Sequence, residues 1–138
     1  IRARGLENVV IPVPETDRVW AFLRAADAFV CASYVEAFSL SVLEAGAFGL
    51  PVISTPCGGL DEQVTWGVSG LKFGFGDAVG LAGELGKLFA DAAYRTEMGR
   101  QSRAAFDLRL TADGMLDRYG RVILSAAGVR TASQARAA

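Results

Sequence analysis

Apolar residues in this chain come in two textures: short unbroken runs, and longer stretches where they recur every three or four positions. Val9–Val13 is a run rich in β-branched residues between Asn8 and Pro14, which reads as a strand. Pro12 cannot donate to a ladder, so pairing is expected to end by about Ile11. Thr16 or Asp17 then stands ready to cap a helix whose Val19, Phe22, Leu23 and Ala26 follow the i, i+3, i+4, i+7 rule. Ala28–Cys31 is apolar throughout, as a strand covered on both faces must be. A loop from Ala32 to Phe38 follows. Ser39 is placed to cap a helix running to about Ala47, which Gly49 and Pro51 stop.

Pro51–Ser54 predicts a third strand, Gly58-Gly59 the opening of a short helix with Asp61, Glu62 and Val64, and Gly70–Phe75 a fourth strand. From Asp77 onward the periodicity is helical, in segments near 77–90, 92–105 and 112–127. Residues 129–138 are small and polar and are expected to fray, leaving 1–128 as one partial Rossmann-like domain. Strands alternating with helices at this spacing predict right-handed βαβ units: an α/β fold with a parallel sheet, flanking helices and a helical C-terminus. Such sheets hold ligands beyond the carboxyl ends of their strands, at helix N-termini, which directs attention to residues 32–39 and 55–59. Trp20, Phe22, Phe29 and Phe48 are expected in the core, with Trp66 packed under the loop before Gly70. Arg100, Arg103, Arg109 and Arg118 are expected on solvated helix faces.

Composition narrows the chemistry. With 138 residues, 14 basic against 15 acidic side chains and a net charge of −1, the chain fits one ordinary domain. It has no basic stripe for nucleic acid, so none is expected as a partner. Histidine is absent, which removes Ser-His-Asp and Cys-His chemistry and most zinc sites from within the chain. Cys31 and Cys57 flank apolar runs and read as free thiols of a reducing compartment, hence a cytoplasmic location. No apolar run reaches the length of a membrane span. The chain opens at Ile1, in what reads as the tail of another element, and a truncated start is the expectation.

The most informative stretch runs from Ser33 to Ala45. Glu36 stands in a loop just ahead of a helix start, and Glu44 falls within that helix among Leu40, Val42, Leu43, Ala45 and Ala47. A carboxylate in so apolar a helix is costly without a partner, and a pair of sugar or ribose hydroxyls is one partner it can hold side by side. Between the two glutamates lie the unpaired N–H groups of the helix N-terminus, at the positive end of its dipole, where a diphosphate can sit. Taken alone, two such glutamates read as a solvated loop residue and a member of an exposed helix stripe, because such pairs are common.

The surrounding words separate these readings. Ala26-Asp27-Ala28-Phe29-Val30, Ser33 ahead of Glu36, and Glu36 spaced seven residues from Glu44 come first. Then follow Gly49-Leu50-Pro51-Val52-Ile53, Gly58-Gly59, Glu62, Gly67, Gly70-Leu71, Asp77 and Arg95-x-x-Met98-Gly99. In order and spacing, from Ala25 to about Gly99, this resembles the retaining glycosyltransferases of group 1, or family 4, with the two-domain GT-B fold. The resemblance implies the C-terminal, donor-binding domain of such an enzyme. It implies Glu36 approaching the donor sugar as the catalytic carboxylate and Glu44 on the ribose hydroxyls. Backbone amides around Ala37, Phe38, Ser39 and Leu40 would hold sugar and diphosphate. It also implies a nucleotide-diphosphate sugar as donor, no metal and no other cofactor, with the base resting near Pro12–Pro14.

Two departures stand out. Ala37-Phe38-Ser39 occupies the place of the family's Gly-Phe-Gly, so two Cβ atoms crowd a site of close approach. The family's phosphate-neutralising Arg and Lys, and its N-terminal domain with most of the acceptor site, have no counterpart in residues 1–8. The chain by itself is therefore expected not to turn over substrate, and any peripheral membrane association would come through that other domain. A non-catalytic nucleotide-sugar-binding fragment or remnant is the alternative. A sugar-nucleotide epimerase of the same architecture fits the words from Glu36 to Gly70 less well.

Overall fold

A computed structural model describes residues 1–109 and 111–128, those at 108 and 109 by their backbone alone. The expectations for the Arg109 side chain and the 129–138 tail lie outside the described residues.

Three short parallel strands carry the fold: β1 (Phe29–Cys31), β2 (Val52–Ser54) and β3 (Gly70–Lys72), side by side in chain order. The register aligns Phe29 with Val52 and Gly70, and Cys31 with Ser54 and Lys72. β2 lies in the middle and is buried throughout. Its successive residues Val52 and Ile53 point to opposite faces and so belong to separate cores. On one face, Val52 and Cys31 pack with Leu23 of α1 (Val19–Ala25), Val42 and Ala45 of α2 (Leu40–Ala47) and Leu60 of α3 (Leu60–Gln63). On the other, Ile53, Leu71 and Phe73 pack with Leu88 of α4 (Ala78–Ala90) and Met98 of α5 (Ala92–Arg109). α6 (Ala112–Ala126) follows, capped by Thr111, with Leu116, Tyr119, Val122 and Ile123 exposed.

α2 is fixed at its far end by glycine. Gly49 takes φ +70° just past the helix, and a Cβ on Gly99 of α5 would fall 2.3 Å from the Gly49 carbonyl oxygen. Only at these two small residues can the chains approach so closely. Arg103 lies on a solvated face as expected, and from there it donates to the Ala47 carbonyl at the end of α2 and pairs with Asp107 at 3.0 Å. Arg100 keeps to the exposed face of α5, paired with Glu97 at 2.6 Å.

The later helices follow the pattern of the sequence closely, α5 reaching four residues beyond the expected 105. The N-terminal part differs. The expected strand at Val9–Val13 does not form; Val9, Val10, Ile11 and Val13 are exposed, Ile11 by 79%. A strand needs a neighbour for its hydrogen bonds, and β1 pairs only with β2, its other edge having no strand beside it among the described residues. Pro12 and Pro14 lower the number of donors further.

The same open edge explains two smaller differences. Val30 in β1 is 38% exposed rather than covered on both faces. In α1 only Leu23 of the expected apolar stripe is buried, while Val19, Phe22 and the presumed core residue Trp20 face outward. Phe48 is exposed as well, and Phe29 is half-buried. Neither Thr16 nor Asp17 caps α1: it starts after Arg18, whose N–H donates to Thr16 Oγ1 at 3.1 Å in a turn ahead of the helix. The last strand stops at Lys72 rather than Phe75, although the Phe73 N–H still donates to the Ser54 carbonyl at 3.1 Å.

Candidate functional site

The loop from Ala32 to Ser39 leaves the carboxyl end of β1 and leads into α2. Its first half hangs on the end of β2. Thr55, which is buried, donates through Oγ1 to the Ser33 carbonyl, and Cys57 Sγ lies 3.4 Å from the same oxygen. Ser33 Oγ in turn donates to Glu36 Oε1 at 2.9 Å, so the half-buried Glu36 carboxylate is oriented from within its own loop. Cys31 and Cys57 are both buried and free, as the sequence predicted. On the outer flank Tyr34 stacks on Phe75, ring centres 5.7 Å apart and planes within 16°, tying the loop to the turn after β3.

The second half of the loop rests on the glycine pair. Gly58 takes φ +52°, and a Cβ there would come 1.4 Å from the Glu36 carbonyl oxygen. A Cβ on Gly59 would lie 2.1 Å from the Ala37 carbonyl oxygen, while the Gly59 N–H donates to the Glu36 carbonyl at 3.2 Å. The Gly-Gly word therefore does more than open a helix: it is the bed on which Glu36 and Ala37 lie.

Ser39 holds the N-cap position of α2 with extended backbone, yet its side chain does not cap. The buried hydroxyl pairs with Ser41 Oγ at 3.1 Å instead of turning onto the helix amides. Its peptide is bound elsewhere. The Ser39 N–H donates to Gln63 Oε1 at 3.0 Å, and Gln63 Nε2 donates to the Ser39 carbonyl at 2.9 Å. The first intrahelical bond runs from the Leu43 N–H to the Ser39 carbonyl at 3.2 Å. Leu40, Ser41 and Val42 thus begin the helix with N–H groups that have neither an intrahelical partner nor a side-chain cap.

Glu44 is exposed, on the outward side of α2 that also carries Leu40 and Ser41, one turn along from those amides. The apolar helix therefore imposes no burial cost on it, contrary to what its neighbours in sequence suggested. Glu36, Ala37, Phe38, Ser39, Leu40 and Glu44 all gather at this one helix start, Phe38 being 43% exposed. The Ser39 N–H is already committed to a protein partner, Gln63 Oε1.

Gln63 was not singled out by sequence reasoning, although a signal exists. Leu60 and Val64 mark a buried i, i+4 face, and Gln63 lies on it. A polar side chain in that place needs a bonding partner. Asp61 is engaged by Trp66, whose indole Nε1–H donates to Asp61 Oδ1 at 2.6 Å while the ring packs against the first core. It makes no side-chain cap of α3. Among the described residues no three His, Cys, Asp or Glu side chains gather as metal ligands, and no helix is long and apolar enough to cross a membrane.

Comparison with known proteins points the same way. Residues 1–105 match the family described as glycosyl transferases group 1. The D-inositol 3-phosphate glycosyltransferase of Salinispora tropica is 36% identical over 116 residues, covering 82% of this chain and 24% of the relative. Sucrose-phosphate synthase from Thermosynechococcus elongatus superposes with a TM-score of 0.84 at 27% identity, over 92% of this chain and 32% of its own. The Anabaena protein HepE, solved in complex with UDP, gives a TM-score of 0.85 at 23% identity, over 90% of this chain and 34% of its own. The chain spans about a quarter of the length of the curated relative and about a third of these structures. With the family matched over most of its length, the chain belongs to the group 1 glycosyl transferases.

Proposed function

We propose that this chain is the donor-binding part of a retaining glycosyltransferase, which moves a sugar from a nucleotide-diphosphate sugar to an acceptor hydroxyl. The observation that carries the reading is the uncapped start of α2, with Leu40, Ser41 and Val42 N–H groups open between Glu36 and Glu44. An N-cap serine normally turns its hydroxyl onto such amides; left open, they suit an anion at the positive end of the helix dipole. HepE, of the same fold, has been solved with UDP bound, which fits a nucleoside diphosphate in this role.

In this reading the diphosphate lies on the open amides, and the Glu44 carboxylate accepts hydrogen bonds from two ribose hydroxyls. Glu36, aimed by Ser33, faces the donor sugar, with the backbone of Ala37 and Phe38 along its edge. The sugar–phosphate bond breaks with its electron pair leaving on the diphosphate. The acceptor oxygen bonds to the anomeric carbon and gives its proton to the departing phosphate oxygen, and fixed N–H dipoles stabilise the growing charge. Those dipoles, rather than a metal ion, supply the counter-charge from this chain. The acceptor, of polysaccharide, glycolipid or small-molecule class, is held by another part of the protein, and the free thiols suit a cytoplasmic location.

Titration calorimetry of the chain with UDP, GDP and ADP tests the reading. One of the three is expected to bind, and Glu44→Ala is expected to weaken it while the fold persists. Binding unchanged by Glu44→Ala would sink the ribose assignment, and a chain that binds none of the three would sink the donor site altogether.

A further inference from the structure

Gln63 is the last residue of α3, is only 6% exposed, and contacts a peptide 24 positions back in the chain. Its amide meets the Ser39 peptide from both sides, accepting from the N–H and donating to the carbonyl. This is the pairing a neighbouring strand would offer, supplied by one side chain. The Ser39 carbonyl also accepts from the Leu43 N–H, so both of its lone pairs are used. Both backbone groups of Ser39 are held, and their orientation sets the direction in which α2 begins.

We infer that Gln63 is a positioning residue for the diphosphate seat, an inference that rests on the function proposed above. It satisfies the N-cap N–H and carbonyl of Ser39 from another element and so sets how α2 begins, while the Ser39 hydroxyl pairs with Ser41 and leaves the next three amides without a side-chain cap. Gln63 and the glycine pair come from one short run, residues 58–63, and that run holds the loop at Glu36, Ala37 and Ser39. The seat is thus shaped from beneath by a segment that need not touch the ligand.

Gln63→Met keeps the bulk of the side chain and removes both bonds. The measurement is the ratio of affinities for a nucleoside diphosphate and its bare nucleoside, by NMR titration with UDP and uridine, GDP and guanosine, and ADP and adenosine. A positioning role predicts that the preference for the diphosphate falls about tenfold or more in Gln63→Met, since only the phosphate-binding amides are misdirected. Amide exchange at Ser39 is expected to quicken by a comparable factor. General structural damage would weaken diphosphate and nucleoside alike, and an unchanged ratio in a folded Gln63→Met protein overturns the inference.

Gln63→Glu keeps the acceptor for the Ser39 N–H and loses the donor to its carbonyl; a reduced ratio is expected there too. It is read in the same way should Gln63→Met not fold. A wild-type chain with no preference for any diphosphate overturns the underlying reading instead, and that outcome is seen before any substitution is made.

Discussion

Two segments of this chain have a similar look in sequence and opposite fates in the structure. Val9–Val13 and Ser33–Ser39 each lie ahead of a helix and mix apolar residues with turn formers. The first is exposed along its apolar positions and belongs to no strand. The second is held at Ser33 by Thr55, at Glu36 and Ala37 by Gly58-Gly59, and at Ser39 by Gln63. What separates them is distant partners, not local preference. All three anchors come from a run that continues the buried central strand β2, whereas nothing among the described residues stands beside β1 to receive Val9–Ile11. Order in this molecule spreads outward from β2.

The sharpest way to break that contrast is to lift the loop off its bed. Gly58→Ala meets both a left-handed backbone, φ +52°, and a Cβ position 1.4 Å from the Glu36 carbonyl oxygen. Something must move, and a loss of about 3 kcal/mol in urea unfolding is expected, together with loss of nucleoside diphosphate binding. A loss below about 1 kcal/mol would show that the loop does not depend on the glycine pair and that the two segments are less different than their packing implies.

The contrast also shows why reading the chain succeeded where it did. The helical periods after Asp77, the β2 run at Val52–Ser54 and the words around Glu36 and Glu44 are local signals, and each placed its element or loop correctly. A β-branched run such as Val9–Ile11 predicts a strand only if a partner exists, and no feature of the run itself carries that information. The apolar stripe of α1 misled for the same reason: its periodicity is sound, but Val19 and Phe22 are exposed, and no strand among the described residues flanks β1 on that side. At the site, the side chains came from the sequence and the fastening did not. Ser39 reads as a cap because serine usually caps, and only the fold brings Gln63 to its peptide.

Glu44→Ala sharpens the comparison by separating function from stability inside the anchored region. The side chain is exposed and its removal is expected to leave urea unfolding within about 0.5 kcal/mol of wild type. Hydrogen bonds to an ionised group contribute about 1.5–3 kcal/mol, so nucleoside diphosphate affinity is expected to fall at least tenfold, read by calorimetry. Loss of stability with unchanged affinity would reverse the assignment and make Glu44 a structural residue.

Thr55→Val addresses one anchor at a time. The hydroxyl is buried and donates to the Ser33 carbonyl, and valine keeps the shape while deleting the bond. About 1 kcal/mol of stability is expected to be lost. Since Ser33 aims the Glu36 carboxylate, amide exchange from Ser33 to Glu36 is expected to quicken while that of α4 stays as it was. Uniform quickening through both cores would mean that Thr55 supports the sheet rather than the loop.

The smallest expected effect bears on the unanchored side. Ile11→Ser removes a large apolar side chain from a position that is 79% exposed, where little surface is withdrawn from water. Urea unfolding of this chain is expected to change by less than about 0.5 kcal/mol, far from the 2–5 kcal/mol that truncating a buried isoleucine costs. The result discriminates because Ile53, the same residue type at full burial in β2, supplies the internal standard. Ile53→Ser leaves a cavity and a hydroxyl without an assured partner, and must lie at or above the top of that range. If Ile11→Ser approached it, Ile11 would be covered in solution, and the distinction drawn between a clamped loop and an unpartnered run would fail at its weaker member.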